Sequence, residues 1–176
     1  CSPDLRPGRS LVSLARPLLA ELNERTGEAA GLSIPDGLEM LYLDQITPDS
    51  ELQVRDWTGH RIAMNAVPSG QVVLAHDAGL ARRLVAAGLR RFTAHTITDA
   101  SALEARLAAV RADGYAWAHE EFADGLSSVA APVFDAEGRV VAALHVYGPS
   151  SRLPGGNDPD ELGRLVAATA ARIRIT

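Results

Sequence analysis

At 176 residues and 47% hydrophobic, the chain is long enough for one well-buried domain, and aromatics at 5% leave Ala, Leu and Val to fill its core. A net charge of −5 with dispersed basic residues argues against this chain gripping a phosphate backbone by itself, because neutralising several phosphates takes clustered cations. The single cysteine, Cys1, excludes an internal disulfide, and apolar runs far below about 18 residues exclude a transmembrane helix.

Residues 11–25 predict a helix, with Leu11, Leu14, Ala15, Leu18, Leu19 and Leu22 at the spacing of one apolar face and Gly27 where it stops. Pro17 would kink its first half or mark its true start. Residues 28–34 and 38–46 flank the turn signal Pro35-Asp36-Gly37 and read as a hairpin. A third strand is expected over 51–58, and 61–67 reads as extended or irregular because a residue before proline avoids the α region. Pro68 suits the first position of a helix, and a second short helix over 78–87 is opened by Asp77 and closed by Gly88.

Thr98 or Asp99 caps a helix that runs to about residue 112, with Leu103, Leu107 and Val110 on one side and Gly114 at its end. Residues 115–121 read as a strand, and Asp124-Gly125 as the turn after it. The next two runs, 126–134 and 140–147, have strand length, recurrent Val and a polar turn, Asp135-Ala136-Glu137-Gly138, between them. The last helix has Asp158 at its N-cap, Pro159 next and Glu161 placed to reach back, and an apolar stripe of Leu162, Leu165, Val166, Thr169 and Ile173. Strands joined by short turns, with helices between and after them, predict an α+β fold built on an antiparallel sheet.

No catalytic, metal-binding or cofactor motif is present, so neither an enzyme nor a cofactor is expected. Sheet pairing could bring His119 near His145, although ordinary hydrogen-bonded histidines are the commoner outcome. Glu120 and Glu121, on adjacent strand positions, would point to opposite faces and make no catalytic pair. The informative positions are Ser128, His145 and Tyr147, polar groups inside apolar runs that need hydrogen-bond partners once buried. A ligand and a neighbouring loop backbone are the alternatives. The helix start at Pro68-Ser69-Gly70 offers free N–H groups that suit an anion, while Gly70 equally allows close packing.

In order and spacing, several segments resemble the effector-binding domain of IclR-type transcriptional regulators. They are Arg16-Pro17-Leu18-Leu19-Ala20-Glu21-Leu22 with Thr26-Gly27, Leu41-Tyr42-Leu43-Asp44, Gly70 with Leu74-Ala75, Thr96-Ile97-Thr98-Asp99, and Gly114-Tyr115-Ala116. The closing set is Glu120-Glu121, Ala130-Ala131-Pro132-Val133 and Gly148-Pro149-Ser150-Ser151-Arg152-Leu153. The resemblance implies a GAF-like fold over 11–176, with 1–10 as a linker remnant after a winged helix-turn-helix that this chain lacks. It further implies a small-molecule effector, a homodimer or homotetramer, DNA contact only through the missing module, no membrane and a cytoplasmic location. By position it places the pocket at Val54, Ile62, Pro68, Ser69, Ala118, Leu126, Ser128, His145 and Tyr147, with Met64 and Trp117 as neighbours. His145 and Tyr147 stand where many members have small residues, Asn65 replaces a frequent His and Gln71 a frequent Lys. The expected effector is therefore a small organic acid or aromatic metabolite, held by the Ser69-Gly70 amides, Ser128 and His145. The competing readings are an oligomerisation module without a ligand and a metal-binding or enzymatic GAF-like domain.

Overall fold

The computed structural model describes residues 7–48 and 55–175. Helix α1 (Pro7–Thr26) runs through Pro17 without ending there. It buries Leu11, Ala15, Leu18, Leu19 and Leu22, whereas Leu14 is 44% exposed on its outer side. A leucine fully removed from water contributes roughly 1.5–3 kcal/mol, so this stripe is what fixes α1 on the sheet. Strands β1 (Ala29–Asp36) and β2 (Glu39–Ile46) form the first hairpin. Its turn lies one step later than the sequence signal, because Pro35 and Asp36 stay in the ladder opposite Met40 and Glu39.

The third strand is not at 51–58. Residues 51–54 lie outside the described residues and 55–58 form no strand. Instead β3 (Arg61–Ala63) pairs with Glu39, Met40 and Leu41 of β2, so three residues read as extended or irregular are extended and form the edge of the sheet. A 3-10 turn over Met64–Ala66 leads into α2 (Pro68–Ala75), every residue of which is buried. Helix α3 (Ala78–Ala87) is capped by the Asp77 carboxylate on the Leu80 amide, and α4 (Ala100–Asp113) by Asp99 on the Ala102 amide. Both caps satisfy N–H groups that a helix start leaves unpaired.

Strand β4 (Ala116–His119) is shorter than expected. Beyond it Glu120 adopts φ 56°, and its carboxylate accepts the Gly125 amide at 2.6 Å, so the two glutamates sit in a turn rather than on a strand. The hairpin of β5 (Leu126–Phe134) and β6 (Val140–Pro149) turns on Asp135, whose Oδ1 accepts the Glu137 and Arg139 amides. Helix α5 (Pro159–Ala170) starts at Asp158, which accepts from the Asp160 amide, and passes Gly163 directly over the Tyr115 ring.

The six strands form one antiparallel sheet in the order β3-β2-β1-β6-β5-β4. Helices cover both faces. Alternate residues of β1, β5 and β6, including Leu32, Val129, Leu144 and Val146, pack with α1 and α5. The other parity, including Met40, Tyr42, Ile62, Ala130 and Ala143, packs with α2, α3 and α4. The predicted α+β class with a GAF-like antiparallel sheet is the fold observed.

Candidate ligand chamber beneath α2

The second face is where buried polar side chains gather. Tyr42 of β2, His145 and Tyr147 of β6 form a row across the sheet, with ring centroids 4.8 Å apart for the first pair and 5.3 Å for the second. His145 is 1% exposed. Its ring lies on Gly31 of the neighbouring strand, and a Cβ at that glycine would come 2.4 Å from Cε1 and 2.9 Å from Nδ1. Gly31 is thus what lets an imidazole lie flat in a closed sheet face. Nε2 of His145 meets the Ser33 hydroxyl at 3.1 Å, while Nδ1 has no hydrogen-bond partner among the described residues.

Burial sets the charge of this row. It pushes the His145 pKa down to about 3, leaving a neutral imidazole, and pushes Tyr42 up to about 12, opposed by its contact with Ser69. Tyr147 is likewise pushed up by burial, and its hydroxyl donates to Oε1 of Gln45. The Tyr42 hydroxyl and the Ser69 hydroxyl stand 3.4 Å apart, so the first turn of α2 meets the row from above. Val67, the N-cap of α2, supplies no side-chain cap. The start of α2 therefore lies against the Tyr42 end of the row, while the unpaired Nδ1 of His145 lies beside Gly31.

Most of the sequence-predicted residues share this side of the sheet. Ile62 and Met64 belong to the same buried cluster as Tyr42, and Ala118 pairs with Ser128 in one parity with Leu126, His145 and Tyr147. Pro68 and Ser69 begin α2 above them. The Ser128 hydroxyl donates to the Val146 carbonyl at 3.1 Å, so its partner is sheet backbone. Gly70 lies against the Met64 backbone, where a Cβ would come 2.3 Å from the carbonyl oxygen; close packing explains that glycine.

Three expectations need correction or fall away. Val54 lies outside the described residues. Trp117 has the opposite parity to Ala118, stacks on His119 and donates its indole N–H to the Pro159 carbonyl at 2.8 Å, on the α5 face. His119 shares that face, opposite Ser127, whereas His145 faces α2, so the two histidines do not meet. Among the described residues no group of three or more His, Cys, Asp or Glu is placed to hold a metal.

Sequence reasoning missed Gly31, Ser33 and Gln45. Gly31 carried a signal, a glycine inside a strand. Gln45 did not: simple alternation puts it on the face away from Tyr42. A bulge at Leu43 shifts the register between Leu32/Asp44 and Ser33/Tyr42 and returns Gln45 to Tyr42's face.

Behind this polar row a second buried network fixes α2. Gln71 donates to the Asn65 carbonyl and to Glu121 Oε1, and accepts from Arg106. Arg106 also pairs with Glu121 at 3.0 Å and donates to the Trp117 carbonyl at 3.1 Å, which ties α4 to the edge strand β4. Asn65 donates to the Arg90 and Ile97 carbonyls, holding the long segment between α3 and α4. A separate groove of about 730 Å³ runs between α3 and α4, and none of the predicted residues is in its lining.

The family model described as bacterial transcriptional regulator IclR, C-terminal, matches residues 8–175. The chain is similar to the HTH-type transcriptional regulator BhcR of Paracoccus denitrificans, at 41% identity over 81% of this chain and 52% of that protein. It is also similar to the HTH-type transcriptional repressor AllR of Klebsiella pneumoniae, at 34% identity over 94% of this chain and 61% of that one. The chain thus spans only about half to three fifths of these relatives. Among solved structures, the IclR of Thermotoga maritima superposes with a TM-score of 0.84 at 26% identity, covering 91% of this chain and 65% of that one. An IclR homolog of Microbacterium hydrocarbonoxydans, complexed with 4-hydroxybenzoate, gives 0.82 at 25% identity over 94% and 68%.

Proposed function

Because the chain belongs to the IclR family of bacterial transcriptional regulators, through the C-terminal domain of that family, we propose that it senses a small organic acid or aromatic metabolite among the polar side chains beneath α2. The observation that carries this reading is His145, a neutral imidazole 1% exposed with Nδ1 unpartnered among the described residues. Leaving a buried polar atom unpaired costs roughly 1–3 kcal/mol, which a bound hydrogen-bonding guest would return. The uncapped start of α2 suits the guest's carboxylate, and the Tyr42–His145–Tyr147 row offers ring faces to its body. The 4-hydroxybenzoate held by the Microbacterium relative is a compound of this class.

In this reading the domain is not an enzyme; its named relatives are transcriptional regulators. DNA contact belongs to a winged helix-turn-helix outside residues 11–176, in keeping with the share of each HTH-type relative that the chain spans. A ligand regulates only by binding one conformation of the whole regulator better than another. Self-association as a homodimer or homotetramer and a cytoplasmic location are part of the same proposal. Among the described residues no helix is long and apolar enough to cross a membrane.

The test is thermal unfolding of the chain against a panel of small organic and aromatic acids that includes 4-hydroxybenzoate. A ligand at about 100 Kd adds roughly 2.7 kcal/mol, a rise of about 5–10 °C for a domain of this size. His145→Ala and Ser128→Leu should abolish that rise. A panel in which no acid raises the melting point, or one whose effect survives both substitutions, would overturn the reading.

A further inference from the structure

The amide of Gln45 has every hydrogen-bonding position in use. Oε1 accepts from the Tyr147 hydroxyl and from the Trp57 amide at 3.0 Å. Nε2 donates to the Arg55 carbonyl at 3.2 Å and to the Thr47 hydroxyl at 3.2 Å. Gln45 is 7% exposed, and Arg55 to Trp57 belong to no helix or strand. A glutamine amide offers two acceptor sites and two N–H groups, so the bond from Tyr147 helps decide which end of the amide faces the segment.

We propose that Gln45 is a positioning residue that couples the chamber floor to the segment 55–57, as a latch set by the Tyr147 hydroxyl. With Tyr147 donating to Oε1, the amide is oriented so that oxygen meets the Trp57 N–H and nitrogen meets the Arg55 carbonyl. A guest that accepts a hydrogen bond from Tyr147, such as a carboxylate or phenolate, takes that bond from Gln45 and loosens the amide's hold on the Trp57 N–H. The consequence does not stop at Trp57. Its ring meets Phe122 at 5.4 Å, Phe122 meets Phe92 at 5.2 Å, and Arg55 and Arg90 lie over the Trp57 and Phe92 rings. The latch therefore adjoins three loops at one end of the chamber: 55–60, 88–99 and 120–125. As a means of regulation it rests on the chamber being the ligand site.

The coupling is testable without a ligand, in the full chain carrying Trp117→Phe, which leaves Trp57 as the one tryptophan emitter. Tyr147→Phe and Gln45→Met are each expected to speed amide exchange at Trp57 about 5-fold, the loss of one hydrogen bond, and to shift its emission to the red. The double variant should match Gln45→Met alone, with exchange at Val129 and Val146 unchanged. Independent, additive effects, or Tyr147→Phe leaving Trp57 at its original exchange rate, would overturn the latch. If Gln45→Met also exposes Val129 and Val146, Tyr147→Phe alone decides, because it keeps the whole Gln45 amide: faster exchange at Trp57 supports the latch and the original rate refutes it. A failed ligand panel removes the regulatory meaning and leaves the coupling between Tyr147 and Trp57 standing; a failed exchange test removes the latch and leaves ligand binding standing.

Discussion

Gly31→Ala isolates the contact that makes room for His145. The added methyl would sit 2.4 Å from Cε1, 2.9 Å from Nδ1 and 3.2 Å from the Asp44 carbonyl, so the ring must leave its place. It has little space to do so, with Tyr42 on one flank and Tyr147 on the other. Overpacking of this kind costs about 1–3 kcal/mol, and displacing the ring also strains the bond to Ser33, worth about 1 kcal/mol. Alanine in a strand recovers about 0.5–1 kcal/mol from the unfolded chain. The net expectation is a loss of about 1–3 kcal/mol, a large part of the 5–15 kcal/mol typical of a domain. Urea unfolding followed by circular dichroism should show a lower midpoint with the slope unchanged. On a His145→Ala background the same substitution should be close to neutral, because the obstacle is gone. A Gly31→Ala protein as stable as the original, or one whose loss is equal on both backgrounds, would refute this account of the chamber floor.

Acid should destabilise the domain through the same ring. The folded pKa of His145, about 3, lies below the ordinary value of 6.5, so the unfolded chain binds the proton first as pH falls. This contribution is complete above pH 6.5 and declines toward pH 3, at up to about 1.4 kcal/mol per pH unit. His145→Ala should show a shallower acid slope in urea midpoints between pH 6.5 and 5; His76, also lowered by burial and Arg111, acts alike in both proteins. Equal slopes would contradict the burial argument. Arg106→Met leaves the buried Glu121 carboxylate without its ion-pair partner and should cost about 3 kcal/mol in the same assay. A loss below about 1 kcal/mol would mean that the pair is solvated.

Much of the frame was legible because its signals are local. Asp77 and Asp158 cap the helices they were expected to cap, Asp99 rather than Thr98 caps α4, and Gly88 and Gly114 follow the helices they were expected to end. The β5–β6 hairpin likewise declares itself through two Val-rich runs and Asp135 with Gly138. What escaped depends on partners distant in sequence. Residues 61–63, read as extended or irregular, become a paired strand because β2 offers an edge, and that pairing is not a local signal. Gln45 reaches the chamber through a bulge, which alternation cannot foresee. Trp117 was legible and misread: period two along β4 separates it from Ala118 and sends it to α5. The short β4, in turn, reflects Glu120 leaving extended geometry to bond Gly125.

The two-sided sheet has a consequence for how such a domain changes over generations. On β6, Leu144 and Val146 belong to the core under α1 and α5, while His145 and Tyr147, one step away each, face α2. Substitutions at His145 and Tyr147 alter the polar row under α2, and substitutions at Leu144 and Val146 alter the core under α1 and α5. A single strand therefore carries two separately inherited instructions. The polar row on one face can change while the packing on the other is kept.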